Sequence, residues 1–168
     1  MRSFITSIIA ALLVLPAVAS AEEAQSTGKT LPTAPIPLPV LAPGCPTSNL
    51  GRTPQQVWEQ HLAALAAGDF ERGMCDYAWD ARVVMAGTVI RGWPAVRQGF
   101  LETNQMMGGG IPEMISVDIN GEIVLTTWTI QTPYFSIPDG SDTFVIRFGL
   151  IHYQTMHAPM VFNAPPAP

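Results

Sequence analysis

The dipeptide Asn120-Gly121, set between the runs Met114 to Ile119 and Glu122 to Gln131, constrains this chain more than any other feature. A two-residue hairpin needs positive φ, which asparagine and glycine adopt at least cost, so the pair predicts two antiparallel strands joined by a tight turn. Beyond them, Pro133, Pro138 and Asp139-Gly140 predict a loop, Asp142 to Phe148 a strand, Gly149 a turn and Leu150 to His157 the last strand.

The residues before this sheet read as helical. Thr53-Pro54-Gln55-Gln56 has the spacing of a capping box with proline in the first turn, and a helix follows to Ala67. Its apolar stripe holds Trp58, Leu62 and Leu65, with His61 in the same stripe. Gly68 ends this helix, and Asp69 caps a second, shorter one to about Asp76. Trp79, Ala81, Val83 and Met85 alternate as one face of a strand, which Gly87 turns into a short partner, Thr88 to Arg91. Pro94 starts a third helix with Val96, Phe100, Thr103 and Met107 on one side, ended by Gly108 to Gly110. Three helices early and four longer strands late, without regular alternation, make an α+β domain with a mostly antiparallel sheet.

The N-terminus begins Met1-Arg2-Ser3, runs apolar from Phe4 to Val18 and closes with Ala19-Ser20-Ala21 before Glu22 and Glu23. That is the pattern of a signal peptide spanning residues 1–21, cleaved after Ala21, and it predicts a periplasmic or secreted protein. The alternative is a membrane anchor, but a spanning helix needs about 20 apolar residues and Pro16 interrupts these. No later segment is long and apolar enough to span, so no integral segment is expected in the mature chain. Residues 22–52 read as a proline-rich spacer, with proline at 32, 35, 37, 39, 43 and 46, and residues 163–168 as a disordered tail. The folded domain is therefore expected over 53–162.

Two cysteines, Cys45 and Cys75, remain after cleavage. In an oxidising compartment they predict one disulfide, the alternative being two buried thiols. Without Arg2, seven basic residues face thirteen acidic ones with no run of either sign, so nucleic acid and anionic lipid are poor partners.

The stretch His61-Leu-Ala-Ala-Leu-Ala-Ala-Gly68-Asp69, then Asp80-Ala81, Ile90-Arg91-Gly92, Ala95-Val96-Arg97 and Asp142-Thr143-Phe144-Val145-Ile146 resembles the NTF2-like superfamily, which includes SnoaL-like proteins and ketosteroid isomerase. The resemblance covers about 110 residues, Thr53 to Phe162, and carries the order of elements with it. It implies a cone in which three N-terminal helices pack on a curved sheet and leave a cavity open at one end, with dimerisation through the sheet's outer face. Members use the cavity for isomerisation, hydration, cyclisation or binding, so the fold does not settle the function.

In ketosteroid isomerase a carboxylate base moves the proton while a tyrosine and a protonated aspartic acid hold the enolate oxygen. By the resemblance, the tyrosine position falls on His61, the oxyanion aspartate on Asp142 and the base on Met85. A thioether cannot take the proton, which removes that route and leaves His61 and Asp142 as a pair of polar cavity groups. Each also has a structural reading: His61 as a satisfied core histidine, and Asp142 as a side chain that satisfies amides at a strand start. By the same analogy Tyr77, Trp79, Met85 and Trp128 line the cavity, where the competing reading is plain core.

Other chemistries lack their residues. His152 and His157 lie on opposite faces of a strand, and no Cys, His and carboxylate cluster has metal-ligand spacing. The glycine run has no phosphate-loop lysine, and no serine sits in a nucleophile elbow. No cofactor is implied. The sequence favours a cavity that binds a small hydrophobic molecule. Its alternatives are an isomerase, cyclase or hydratase using His61 and Asp142, and a non-catalytic dimeric interaction domain.

Overall fold

In the computed structural model, residues 39–108 and 110–163 are described, so the expected signal peptide, the first part of the spacer and residues 164–168 lie outside the described residues. The order is a 3-10 turn at Thr47–Asn49, α1 (Pro54–Ala66), α2 (Phe70–Met74), β1 (Tyr77–Met85), β2 (Thr88–Arg91), α3 (Trp93–Met107), β3 (Glu113–Asn120), β4 (Ile123–Gln131), β5 (Phe135–Arg147), β6 (Leu150–His157) and β7 (Val161–Phe162). Among the described residues this is an α+β fold: three helices and one curved, mostly antiparallel sheet of seven strands. The strand order is β2-β1-β6-β5-β4-β3, with β7 paired to β5; β1 and β6 run parallel and every other pair is antiparallel.

Local chemistry sets the helix boundaries. Thr53 Oγ1 accepts from the Gln56 amide and Gln56 Oε1 from the Thr53 amide, so two orphan donors of the first turn of α1 are satisfied reciprocally. Asp69 accepts from the Arg72 amide and starts α2. The buried face of α1 is Val57, Trp58, His61 and Ala64. Leu65, expected in that stripe, is 43% exposed because it stands at the rim of a cavity.

In the expected hairpin, β3 and β4 pair up to Asn120 and Ile123, so the central turn residues are Gly121 and Glu122, one place later than the Asn-Gly pair suggests. Gly121 alone has positive φ, +57°, which matches a turn that asks for glycine at its first central position.

The expected loop before Asp142 is instead strand. β5 starts at Phe135, and Pro138 and Asp139 together oppose Thr129, since Ile137 pairs with Ile130 and Gly140 with Trp128. Proline without an amide proton is tolerated in a sheet at such a bulge. Asp142 therefore lies mid-strand opposite Thr126, not at a strand start.

The expected spacer is packed at its C-terminal end. Ala42 is buried, Cys45 is bridged to Cys75, Val40 O accepts from the Trp79 amide and Gly51 donates to Phe148 O. We call Val40–Arg52 the strap. Asn163, expected in the tail, donates its amide to Tyr134 O. The main core joins Val57 and Trp58 of α1, Val96 of α3, and Val83, Val124, Phe144 and Ile146 of the sheet. A second cluster, Trp128, Ile130, Phe135 and Ile137, lies at the other end of β4 and β5.

Candidate functional site

Between the helices and the sheet lies a cavity of about 720 Å³. Exposed Leu65, Met106 and Ile111 border its mouth, while buried His61, Tyr77, Trp128, Asp142 and Gln154 form its inner end. All seven methionines after Met1 border it, together with Trp58, Phe70, Phe100 and Phe144. Thioethers are unbranched and polarisable, so such a wall adapts to the shape of an apolar guest. Among the described residues the lining includes no arginine, and Asp142 is its one acidic residue. A shallower recess of about 440 Å³ lies behind Asp76, lined by charged groups such as Arg52 and Asp76 that are already paired with each other.

Two hydrogen-bonded groups make the inner end. In the first, Tyr77 Oη donates to Gln154 Oε1 at 2.6 Å, and Gln154 Nε2 donates to Asp142 Oδ1 at 2.8 Å. Trp128 Nε1 donates to Asp142 Oδ2 at 2.6 Å, so both carboxyl oxygens are occupied. Burial pushes the Asp142 carboxyl up from the ordinary carboxylate range, against the opposing pull of the bonds from Gln154 and Trp128 and of nearby His61. Burial also raises the Tyr77 phenol, with Asp142 and Asp76 adding to the effect, so it stays a neutral donor. The Trp128 ring lies over Gly140, where a Cβ would stand 2.4 Å from Cε3; only glycine leaves room for the indole to reach Asp142.

In the second group, His61 Nδ1 is 3.2 Å from Asp76 Oδ2, and Arg52 Nη1 donates to Asp76 Oδ1 at 2.8 Å. Asp76 is 2% exposed. The sealed side-chain polar atoms without a partner among the described residues are Thr126 Oγ1 and His152 Nε2. His61 Nε2 is not one of them and makes no hydrogen bond among those residues, so it meets open space, and the ring borders the cavity.

The expected site residues are thus distributed as follows. His61, Tyr77, Met85, Trp128 and Asp142 border the cavity, but His61 and Asp142 are not hydrogen-bonded to each other: His61 is held by Asp76, and Asp142 by Trp128 and Gln154. Trp79 is a correction. It is 38% exposed and stacks on Trp93, outside the cavity lining. The reason is a break in the β1–β6 register between Tyr77 and Arg82, which interrupts the alternation and turns Trp79 outward. Asp76, Arg52 and Gln154 were missed. Asp76 stands 15 residues from His61, just past a short helix, and no local pattern in the sequence marks such a pair.

No family model matches this chain, and no curated protein matches it. Solved structures do. An NTF2-like protein of unknown function from Burkholderia xenovorans LB400 superimposes with a TM-score of 0.55 at 21% identity, over 67% of this chain and 88% of the other. A candidate polyketide cyclase from Sinorhizobium meliloti gives 0.54 at 16% identity, over 61% and 94%. TerC, co-crystallised with polyporic acid, gives 0.54 at 13% identity, over 63% and 90%. Such identities carry information on the fold alone, and on that ground the chain folds as an NTF2-like protein.

Proposed function

We propose that this domain binds a small, uncharged hydrophobic molecule in the cavity between its helices and its sheet. The observation that carries the reading is the cavity itself: about 720 Å³, walled by thioethers and aromatic rings, with polar groups gathered at one end. Ligand sites fall between about 300 and 1,000 Å³ and share this division of an apolar wall and few polar groups. Among the described residues the wall carries no arginine and ends near a buried carboxyl group, which disfavours anions. A protein of the same fold, TerC, was co-crystallised with a small organic molecule, polyporic acid.

The test is a titration with the neutral fluorophore N-phenyl-1-naphthylamine. Saturable enhancement is expected in the wild type and its loss in Thr103→Trp, which places an indole at a lining position. Equal, non-saturable enhancement in both proteins removes the reading.

One observation favours a second reading, an isomerase, cyclase or hydratase: Asp76 orients His61 while Nε2 meets open space, the arrangement of a general base held by a carboxylate. In that reading His61 moves the proton and Asp142 belongs to the polar floor. Turnover of any identified substrate is lost in His61→Ala, and unchanged turnover refutes it.

The proposal places the domain outside the cytoplasm, periplasmic or secreted after loss of residues 1–21. The Cys45–Cys75 bridge fits an oxidising compartment, and no helix among the described residues is long and apolar enough to cross a membrane. It also pairs two copies through the sheet face turned away from the helices, where Val84, Ile123, Leu125 and Tyr153 are each 39–49% exposed. The mass of the exported protein and its light scattering check both points.

A further inference from the structure

Arg52 belongs to the strap, yet its guanidinium reaches into the domain. Nε donates to Asn49 O at 2.9 Å, Nη2 to Gly149 O at 2.8 Å, and Nη1 to both Gln60 Oε1 and Asp76 Oδ1, at 2.6 and 2.8 Å. Three features hold it there. The Cys45–Cys75 bridge ties the strap one residue before Asp76, Asn49 Nδ2 donates to Cys75 O at 2.9 Å, and the Gly149 turn lies close against Asn49 and Gly51.

The charge balance of this group decides what His61 shows to the cavity. A carboxylate as buried as Asp76 needs a cation or a proton. With Arg52 on one oxygen the requirement is met, and His61 can remain neutral with its Nδ1–H directed at the other. The lone pair is then on Nε2, the nitrogen without a partner. Without Arg52 the carboxylate draws a proton to itself or to the ring. In the first case the acid O–H donates to Nδ1 and the ring proton moves to Nε2; in the second the ring becomes imidazolium. Both cases place a hydrogen on Nε2 and convert it from acceptor to donor.

We propose that Arg52 is a positioning residue that keeps His61 neutral with Nε2 as an acceptor, so that the molecule accepted by the cavity presents a hydroxyl or N–H group to His61. The ligand half of this rests on the cavity-binding reading; the state of the ring does not. The other polar groups facing His61 are Asp142 from β5 and Tyr77 from β1, whose ring centroid is 5.6 Å from that of His61. Asp142 is occupied by Trp128 and Gln154, and the Tyr77 hydroxyl by Gln154, so neither takes the place of Asp76 at Nδ1.

The test has two arms on the full mature protein. In the first, ¹⁵N-histidine spectra at neutral pH report each ring nitrogen. Nε2 is expected to be unprotonated in the wild type, protonated in Arg52→Gln, and unprotonated again in Arg52→Lys, which restores a cation without the fork of bonds to Asn49 and Gly149. Protonated Nε2 in the wild type, or a retained Nδ1–H tautomer in folded Arg52→Gln, overturns the proposal. In the second arm, 2-naphthol is expected to bind at least about ten-fold more tightly than 2-methoxynaphthalene, because a buried acceptor left without its donor is penalised. That preference should vanish in Arg52→Gln. Equal affinities in the wild type refute the donor requirement. Binding of neither compound defeats the cavity reading, and the spectra still decide the role of Arg52.

Discussion

Replacing Gly140 by alanine tests the packing that supports the inner end of the cavity. The added Cβ would lie 2.4, 2.5 and 2.6 Å from three atoms of the Trp128 ring, where carbon atoms rest at about 3.5–4.0 Å. The indole must retreat by roughly 1 Å or more, and its Nε1 is bonded to Asp142 Oδ2 at 2.6 Å, so the retreat breaks that bond. Overpacking a filled site costs about 1–3 kcal/mol, and loss of a hydrogen bond to a buried carboxyl group about 1.5–3 kcal/mol. Because one motion causes both, their sum is an upper bound, and about 3–4 kcal/mol is expected. Urea unfolding followed by tryptophan fluorescence measures it, with Gly121→Ala as a control. There φ is positive and nothing stands within 4 Å, so only the backbone penalty of about 1–2 kcal/mol applies. A loss below about 1 kcal/mol in Gly140→Ala, with the Trp128 indole N–H resonance unmoved, would refute the reasoning.

Three further outcomes are expected. Replacing Cys45 and Cys75 by serine opens a loop closed over 30 residues and should lower stability by about 3.5 kcal/mol, read as a lower urea midpoint and earlier proteolysis within the strap. Tyr77→Phe strips Gln154 Oε1 of its donor in a buried site and should cost about 1–2 kcal/mol in the same unfolding assay. For Asp142 the folded pKa lies above the unfolded one, so in that window the native state binds more protons. Its contribution to stability should therefore decline as pH rises from about 4 through the raised value, and unfolding curves of Asp142→Asn across that range should lack this component.

Much of this fold was legible because its determinants are local. The capping box of α1 involves four consecutive residues, and the β3–β4 hairpin announces itself through a glycine that must adopt positive φ. Errors arose where one local chemistry serves two ends. Pro138-Asp139-Gly140 is as good a bulge as it is a turn, and only the partner strand decides between them. Proline density likewise marked residues 30–46 as unable to build a core of their own, but a strap needs no core when a disulfide and backbone bonds to β1 and the β5–β6 turn hold it. The site was half legible. His61 fell on the buried face of α1 by periodicity, and the resemblance pointed to Asp142, whereas Arg52, Asp76 and Gln154 come from segments up to about 100 residues apart that meet only when the chain is folded.

The one parallel pairing among the described residues, β1 with β6, carries a consequence for how the domain forms. Tyr77 pairs with Ile151, so the first strand of the sheet waits for one made about 70 residues later. The meander from β3 to β6 can assemble from sequence neighbours, but β1 and β2 hydrogen-bond to it only across that seam. Such long-range closure slows folding toward the millisecond-to-second range typical of sheets with distant contacts. A nascent chain that stops before β6 would expose the inner edge of β1 and, with it, the residues that later surround His61. Such a chain should be recognised by chaperones as unfinished, however complete its helices are.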